Sequence, residues 1–535
     1  GLPHRRHPVR GSRGPARQRS RGLPFWSSGP RSLSMRNPDV VVIGAGFGGL
    51  ATALRLAELG ADVVLCETLR YPGGCASTFT RSGYQFEAGA TLFSGLGDGQ
   101  LFSRWNEQWD LGVRFDPLDP LVELRTKQWS LAIAAERDSL VRRFGELPGA
   151  DREALGDFFR TQRRVADALW KLFEDPSLLP PLNGGSILRH LSRSISYAPV
   201  LRWMGRPLSD VVSASGLAGW EPLRTYLDAV SQITVQASAA EAEAPFAMAA
   251  VDYFFRGTGH VHGGIGNLAW GLTKAIERAG GSVLLANRVH GLRREGGRWR
   301  VDTRRGEHRT ETVVANVLPQ SLGSMTQPQM NGELHDVEES VESGWGAAML
   351  YLAVGSDAVP GPEARHLQLI DDEAAPFVEG NHVFCSISAA DERKRAPDGQ
   401  RTVTVSTHVP MHKLRGLPAE DQGTYVANIQ AKMRETIARR APELLEHETF
   451  QMTASPRTFA RFTGRHLGYV GGVPRRVGLK HYRPRALWPR QAMPGLYLVG
   501  DSVLLGQSTL AVALGGVRTA EKIAARDAWS RGAAE

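Results

Sequence analysis

A glycine-rich turn followed at a set distance by an acidic residue is the feature of this chain best suited to chemistry. After a β-branched run typical of a buried parallel strand, the pattern G-x-G-x-x-G is formed by Gly44, Gly46 and Gly49. Glu67 follows 23 residues after Gly44, at the end of a second predicted strand. In such a βαβ unit the glycines let backbone approach a diphosphate, and the acid accepts ribose hydroxyls. An acid rather than an arginine favours a free 2′-hydroxyl, which indicates FAD or NAD rather than NADP.

A second motif near the end of the chain fits the same cofactor chemistry. Leu496 to Val499 is a predicted strand that runs into Gly500 and Asp501. The carboxylate of Asp501 can bind the hydroxyls of a sugar-like chain, and the helix predicted from about Thr509 presents free N–H groups at its start. A Gly-Asp turn alone is common, but its pairing with the first unit makes it more specific.

The patterning along the chain predicts an α/β protein with one cofactor domain interrupted twice by a second, mixed α+β domain. A mostly helical region follows the first βαβ unit, and nucleotide-domain patterning returns at Gly263-Gly264. A single strand is predicted over Ser282 to Leu292. The predicted divisions are a leader (1–34), cofactor domain parts (35–97, 251–330 and 481–535), and substrate domain parts (98–250 and 331–480).

The net charge of +9 does not indicate nucleic-acid binding, because it is concentrated in the leader. Residues 1–34 hold eight arginines and no acid, and removing those arginines leaves 56 basic against 55 acidic residues. We expect this Gly-, Pro- and Ser-rich segment to be disordered. It resembles a transit peptide in composition but has no amphipathic helix, and our preferred interpretation is that Met35 is the natural start.

The sequence has no pattern for a metal centre or a membrane span. Its three cysteines have neither the number nor the spacing of a zinc site or a disulfide framework, which fits a reducing cytosol. No stretch of 18 apolar residues occurs. We therefore predict no metal, and a cytoplasmic location with peripheral association to a membrane surface.

Taken together, these motifs resemble those of the FAD-dependent amine oxidase and phytoene desaturase superfamily, and most closely its carotenoid desaturase and carotenoid isomerase branch. The resemblance is carried by the first βαβ unit, Pro72-Gly73-Gly74, residues 461–471 and the C-terminal motif through Gly515-Gly516. It implies a glutathione reductase-like FAD-binding domain of Rossmann type. The cofactor-binding residues that the two motifs and the resemblance indicate are Gly44, Gly46, Gly49, Glu67, Gly74, Val289, Gly500, Asp501, Ala511 and Val512.

By that resemblance, Glu67 binds the adenosine ribose, the backbone of Val289 pairs with adenine, and Asp501 binds the ribityl chain. The backbone around Ala511 and Val512 faces the pyrimidine edge of the flavin. The chain departs from the family at Cys75, where many members have an arginine. The contact that this arginine would make to the flavin is therefore not assigned to any residue.

The activity implied is desaturation of an acyclic or monocyclic carotenoid, including a terminal 3,4 bond, with quinone or oxygen as electron acceptor. The alternatives are a carotenoid cis/trans isomerase, to which the C-terminal motif is closest, and an amine oxidase. We name no catalytic base. We expect His260 and His262 to be loop histidines that bond to the backbone. Ile187 to Ile195 forms a basic amphipathic helix, which either packs on the domain below it or docks on a membrane surface.

Overall fold

The computed structural model describes residues 37–326 and 332–527. The predictions made for residues 1–34 therefore lie outside the described residues. The strands, numbered in chain order, are β1 Val40–Ile43, β2 Val63–Cys66, β3 Thr78–Arg81, β4 Tyr84–Glu87, β5 Phe115–Asp116, β6 Val122–Arg125, β7 Ser130–Ile133, β8 His260–Val261, β9 Ser282–Leu284, β10 Val289–Glu295, β11 Arg298–Thr303, β12 Gly306–Thr310, β13 Thr312–Ala315, β14 Trp345–Gly355, β15 Arg365–Ile370, β16 His382–Ile387, β17 Gln400–Pro410, β18 Glu448–Ala454, β19 Arg490–Met493 and β20 Leu496–Leu498.

The helices connect these strands and form most of the region between β7 and β8. They are α1 Phe47–Glu58, α2 Leu101–Trp109, α3 Arg137–Phe144, α4 Arg152–Glu174, α5 Gly184–Ser192, α6 Ala198–Trp203, α7 Leu208–Ala214, α8 Glu221–Val235, α9 Ala244–Val251, α10 Gly266–Arg278, α11 Pro319–Thr326, α12 His335–Glu342, α13 Met411–Gly416, α14 Ala419–Arg440, α15 Glu443–Glu446, α16 Pro456–Thr463, α17 Pro484–Leu487 and α18 Thr509–Arg526.

The sheet that positions the cofactor motifs has the order β19-β20-β13-β1-β2-β9. Its four central pairings are parallel, and only β19 is antiparallel to its neighbour. Every residue of β1 and β2 is buried, because helices cover both faces of such a sheet. The Rossmann-type α/β fold predicted from the sequence is therefore confirmed.

A second sheet of seven strands, in the order β18-β14-β17-β16-β15-β6-β7, supplies the other wall of the site. The segment predicted as mostly helical contributes β6 and β7 to its edge. Long helix α14 packs on this sheet through buried residues such as Ile429 and Met433. The strand pairing therefore joins the two interrupting segments. The numbered domain boundaries themselves stay predictions.

Two local predictions are wrong. The strand predicted over residues 282–292 is two strands, β9 and β10, separated by a turn in which Ala286 has φ of 52°. The break is required because β9 pairs with β2 whereas β10 joins a separate antiparallel sheet with β11. The amphipathic helix predicted to continue to Ile195 ends at Ser192, and its only buried residue is Ser186, so it does not pack its apolar face on the domain below.

Candidate active site

The glycine turn lies at the carboxyl end of β1, where open α/β sheets bind ligands. Gly44 has φ of 94°, a conformation that favours glycine, and its N–H donates to the Cys66 carbonyl at 2.8 Å. A methyl group at position 49 would lie 2.0 Å from the Gly44 carbonyl oxygen. Gly49 therefore allows α1 to pack against the turn, while Gly44 and Gly46 line the cavity above it.

Glu67 is held by backbone at the end of β2. Its two carboxylate oxygens accept hydrogen bonds from the N–H groups of Ala45, at 2.7 Å, and Leu69, at 2.8 Å. Burial raises the pKa of Glu67, and the backbone hydrogen bonds oppose that effect. The side chain is thereby fixed in one orientation beside the turn and keeps lone pairs that can accept from a ligand hydroxyl.

Asp501 follows β20 and is paired with a partly buried arginine from another part of the chain. The Arg465 guanidinium donates to Asp501 Oδ2 at 2.8 Å and to the Tyr469 carbonyl at 2.5 Å. Cys75 lies close enough to this guanidinium that Arg465 opposes the rise that burial causes in the pKa of the thiol. A positive charge is therefore present beside the first loop, although it comes from position 465 rather than 75.

Helix α18 begins beside this pair. Its cap, Ser508, accepts a hydrogen bond from the Ala511 N–H on its hydroxyl oxygen at 3.1 Å, and one from the Val512 N–H on its carbonyl at 3.0 Å. These two N–H groups are therefore engaged within the helix. Val512 lines the main cavity, and Ala511 lines a smaller cavity next to it.

Asn316, which the sequence analysis missed, lies at the centre of the cofactor motifs. It follows β13, and its amide donates to the Gly44 carbonyl at 3.4 Å. A methyl group at Gly46, Gly48 or Gly500 would lie within 2.8 Å of the Asn316 side chain. Its position directly after a buried strand was the available signal, because such residues reach the ligand-binding edge of the sheet.

These elements enclose a cavity of about 510 Å³, within the usual range for a ligand site. Eight of the ten predicted cofactor-binding residues line it, and Gly49 and Ala511 do not. The eight are Gly44, Gly46, Glu67, Gly74, Val289, Gly500, Asp501 and Val512. Between the first turn and β20 the cavity wall is largely main chain. Such a wall fits a dinucleotide, because its diphosphate must approach the backbone closely.

The opposite wall of the cavity is one face of the seven-stranded sheet. Side chains at alternate positions of three neighbouring strands share this face, as period-two geometry requires. They are Trp345, Ala347 and Met349 of β14, His382 and Phe384 of β16, and Ser406 and His408 of β17. Four charged residues line the cavity, none of them on this wall: Glu67, Arg288, Arg465 and Asp501.

The two histidines on this wall carry no charge at neutral pH. Burial lowers the pKa of His408 to about 4, and burial together with nearby His408 lowers that of His382 to about 3. Trp345 stacks on His408 with ring centroids 4.2 Å apart. His382 Nε2 and His408 Nδ1 are buried without a hydrogen-bond partner among the described residues. The wall is therefore aromatic and aliphatic with neutral polar groups.

His260 and His262 lie outside the cavity, and the prediction that they bond to backbone is wrong. His260 Nε2 lies 3.0 Å from Glu392 Oε1, and His262 Nδ1 lies 3.2 Å from Asp116 Oδ2. Glu392 also accepts from the N–H groups of Gly263 and Ala389, so the buried His260 ring helps to fix this loop.

Comparison with known proteins agrees with this architecture. Residues 42–108 match the family described as NAD(P)-binding Rossmann-like domain. The chain is 25% identical to a chloroplastic prolycopene isomerase of Arabidopsis thaliana over 91% of its own length and 82% of that protein. It is 26% identical to a neurosporene-forming phytoene desaturase of Cereibacter sphaeroides, over 46% of each chain. A putrescine oxidase structure has the same fold, with a TM-score of 0.59, 16% identity, and coverage of 92% and 100%.

The chain has a Rossmann-type α/β fold with a ligand cavity at the cofactor motifs, and a solved putrescine oxidase shares this fold. The comparisons confirm the resemblance to the carotenoid desaturase and isomerase family. The members of this family are FAD-dependent, so the prediction of FAD as cofactor is confirmed. The comparisons also support an oxidoreductase character for the protein.

Among residues 37–326 and 332–527, no helix combines the length and apolarity needed to cross a bilayer. In the same ranges, no group of three or more His, Cys, Asp or Glu side chains is arranged to hold a metal ion.

Proposed function

We propose that the protein is an FAD-dependent enzyme that acts on a long conjugated polyene of carotenoid type, and that it desaturates this substrate. The observation that carries the proposal is the uncharged sheet wall of the cavity, formed by residues such as Trp345, Met349 and Phe384. An apolar substrate can be held there by burial alone, at about 25 cal/mol per Å² before the costs of ordering.

In this proposal the cofactor lies along the cavity between the two cofactor motifs. The turn at Gly44 and Gly46 contacts the diphosphate, Glu67 the adenosine ribose, and the Val289 backbone the adenine. Asp501, oriented by Arg465, binds the ribityl chain. The start of α18, including Ala511 and Val512, lies near the pyrimidine edge, where a helix N-terminus stabilises negative charge by about 0.3–1 kcal/mol.

FAD, when bound, would supply a hydride acceptor for an allylic carbon of the substrate. The residues of this chain would hold the polyene, and the neighbouring proton would leave to water or a weak base. No catalytic base is assigned among the residues that line the cavity. A quinone or oxygen as the final electron acceptor stays a prediction.

A second candidate is carotenoid cis/trans isomerisation. It is favoured by the near full-length similarity to the Arabidopsis prolycopene isomerase, whereas the similarity to the bacterial phytoene desaturase spans about half of each chain. Amine oxidation is the weaker alternative. The sheet wall has no carboxylate to pair with an ammonium group, although the putrescine oxidase shares the fold.

One experiment separates these reactions. The FAD-loaded protein is incubated with a lycopene-type carotenoid and a quinone or oxygen, and the products are resolved by chromatography and mass spectrometry. A loss of two hydrogens with a red shift supports desaturation, and an isomer of unchanged mass supports isomerisation. Oxidation of a polar amine with no change in any carotene would overturn the carotenoid assignment.

A further inference from the structure

Five arginine side chains are buried in the part of the chain that the structure describes, and one of them differs from the rest in its partners. Arg395 and Arg490 form ion pairs with acids. Arg401 donates to three backbone carbonyls and Arg518 to two. The fifth is Arg475, whose guanidinium has neither kind of partner among the described residues. A buried guanidinium in this state has lost its hydration without an acceptor in exchange.

The side chain that does contact the Arg475 guanidinium is a histidine that does not offset its charge. Arg475 Nη1 lies 3.4 Å from His481 Nδ1, and His481 Nε2 lies 2.7 Å from the Arg476 carbonyl oxygen. Burial, together with nearby Arg475, lowers the pKa of His481 to about 4, so the ring is neutral at neutral pH. This neutral ring donates from Nε2 to the carbonyl and accepts at Nδ1. The positive charge of Arg475 is therefore uncompensated.

The buried acid of this region, Glu243, is engaged by other groups. Its Oε1 accepts from the N–H of Gly205 at 2.6 Å and from the Tyr482 hydroxyl at 3.0 Å. Its Oε2 accepts from the N–H of Gly478 at 2.9 Å. Both oxygens are thus used to fix loop backbone and a tyrosine, and Glu243 forms no ion pair with Arg475 in the described structure. The guanidinium remains available to an anionic ligand.

One edge of the Arg475 guanidinium is free. Nε and Nη2 form the edge on which arginine binds a carboxylate through two hydrogen bonds, and neither atom donates to a described residue. A methyl group at position 506 would lie 3.2 Å from Nη2 and 3.5 Å from Nε. Gly506 has φ of 96°, a conformation that favours glycine. The absence of a side chain at this position leaves room beside the free edge.

Arg475 lines the smaller cavity, next to the main one. This cavity has a volume of about 60 Å³, several times the roughly 10–15 Å³ that one water molecule needs, so it can hold a carboxylate and the carbon atoms beside it. Phe246 lies against the guanidinium, with Cζ 5.1 Å from the ring centroid. The rest of the lining is mainly apolar and includes Trp170, Phe173 and Leu505. A cation in an apolar wall fits a ligand whose charged end joins an apolar chain.

The smaller cavity adjoins the main cavity along four residues. Thr234, Tyr253, Gln507 and Ser508 line both. A ligand that is anchored at Arg475 can extend between these side chains toward the uncharged sheet wall. The charged group and the apolar wall therefore suit the two ends of one molecule.

We propose that Arg475 binds the carboxylate of an apolar acid whose chain extends from the smaller cavity into the main one. The choice of an acid rests on the buried, uncompensated guanidinium, and the choice of an apolar chain rests on the aromatic walls. Together with the proposed function, on which this step rests, the substrate is a polyene that carries a carboxylate at one end. Binding gives the guanidinium two charge-assisted hydrogen bonds in place of its lost hydration.

The binding test compares all-trans-retinoic acid with its methyl ester, two polyenes that differ in charge, on the FAD-loaded full chain. Quenching of tryptophan fluorescence measures both dissociation constants. We expect the acid to bind at least about tenfold more tightly than the ester, and Arg475→Gln to remove this preference. Arg476→Gln is the matched control and should keep the preference, because Arg476 donates to the Ser343 carbonyl and lines neither cavity. Equal binding of acid and ester by the wild type, or a preference kept in Arg475→Gln, would overturn the carboxylate site.

A short acid tests the role of the chain. Sodium acetate at the same concentration should not displace retinoic acid, because acetate lacks the apolar chain that the cavities would bury. Displacement by acetate at that concentration would show a site for small anions only and would overturn the assignment of an apolar acid.

Thermal unfolding distinguishes a ligand-binding arginine from a structural one. Arg475→Gln should not lower the melting temperature measured without added acid, since it removes an uncompensated buried charge. Arg518→Gln should lower it, because two carbonyls lose their donor. Added retinoic acid should raise the melting temperature of the wild type and not that of Arg475→Gln. An equal fall in the two variants without acid would show that Arg475 is structural and would overturn the proposal.

Turnover separates this inference from the proposed function. With an acid-ended polyene as substrate, Arg475→Gln should raise KM by at least about tenfold and change kcat less. Wild-type turnover of a hydrocarbon carotenoid, with equal affinity for acid and ester, would overturn the carboxylate site and leave the proposed function in place. Binding of retinoic acid that depends on Arg475, without turnover of any polyene, would instead overturn the proposed function and leave the carboxylate site in place.

Discussion

Arg465 and Asp501 form an ion pair in which the guanidinium donates to the carboxylate at 2.8 Å, 36 residues apart in sequence. Both side chains are mostly buried, with exposed fractions of 17% and 20%. Loss of one partner of a buried pair leaves an uncompensated charge, which is more costly than the pair itself is stabilising. The orientation of Asp501, and with it the proposed ribityl contact, therefore depends on Arg465.

Arg465→Gln is expected to lower FAD affinity by about tenfold or more, because Asp501 loses its charged partner. Release of flavin during dialysis, followed by absorbance, measures the effect. Cys75→Arg added to this variant should restore part of the affinity, since Cys75 lies beside Arg465. Full FAD retention in Arg465→Gln would show that the pair does not position Asp501.

Glu67→Ala is expected to weaken FAD binding more than Glu67→Gln. The alanine variant leaves two backbone N–H groups, of Ala45 and Leu69, without their acceptor, at a cost of about 1–3 kcal/mol each. Glutamine keeps one acceptor oxygen and the shape of the side chain. Titration of the apoprotein with FAD measures both constants, and equal affinities in the two variants would contradict the assigned role.

Gly49→Ala is expected to destabilise the protein by roughly 1–3 kcal/mol or more, since the new methyl group would lie 2.0 Å from the Gly44 carbonyl oxygen. Gly423→Ala is the control, because a methyl group there meets nothing within 4 Å on α14. Alanine is the better helix former, so this control should be neutral or stabilising by up to about 1 kcal/mol. Urea unfolding of both variants provides the comparison.

The free energy of unfolding should fall as pH falls below about 6.5, the usual pKa of an unfolded histidine, toward the pKa of about 3 that His382 has in the folded protein. In this window the unfolded state binds a proton that folded His382 does not. Stability from this residue is complete above pH 6.5 and is lost on acidification. His382→Leu should therefore show a smaller stability difference between about pH 7.5 and about pH 5 than the wild type.

His412→Leu provides the reference for that measurement, because His412 is exposed. The pH dependence of stability should change less in His412→Leu than in His382→Leu. An unchanged pH dependence in His382→Leu would show that His382 is not kept neutral by burial.

The local parts of the fold followed from the sequence. The β-branched strand at residues 40–43, the glycine turn and the acid at position 67 are adjacent in the chain, so their arrangement depends on short-range geometry. The break at residues 285–288 was missed because it is set by which sheet each half joins. Hydrophobic patterning does not contain that information.

Long-range contacts explain what the sequence could not predict at the site. Arg465 lies within the motif at residues 461–471, but its partner Asp501 is 36 residues further along the chain. Asn316 is brought to Gly44 by the pairing of β13 with β1. The partner of His260, Glu392, is 132 residues away. The periodicity of the sequence predicted an apolar face on α5. Whether that face is buried or exposed depends on how the neighbouring segments pack, and in the structure it is exposed.

The strand order of the cofactor sheet has a consequence for how the protein is made. Strand β1 lies between β2 and β13, and β20 and then β19 follow β13 toward the edge of the sheet. Helix α1 packs closely on α18 through Gly516. A ribosome therefore releases the glycine turn hundreds of residues before the segments that bury its neighbours. Because contacts so distant in sequence form slowly, we expect the nascent chain to acquire FAD only after synthesis of α18, and to depend on protection from aggregation until then.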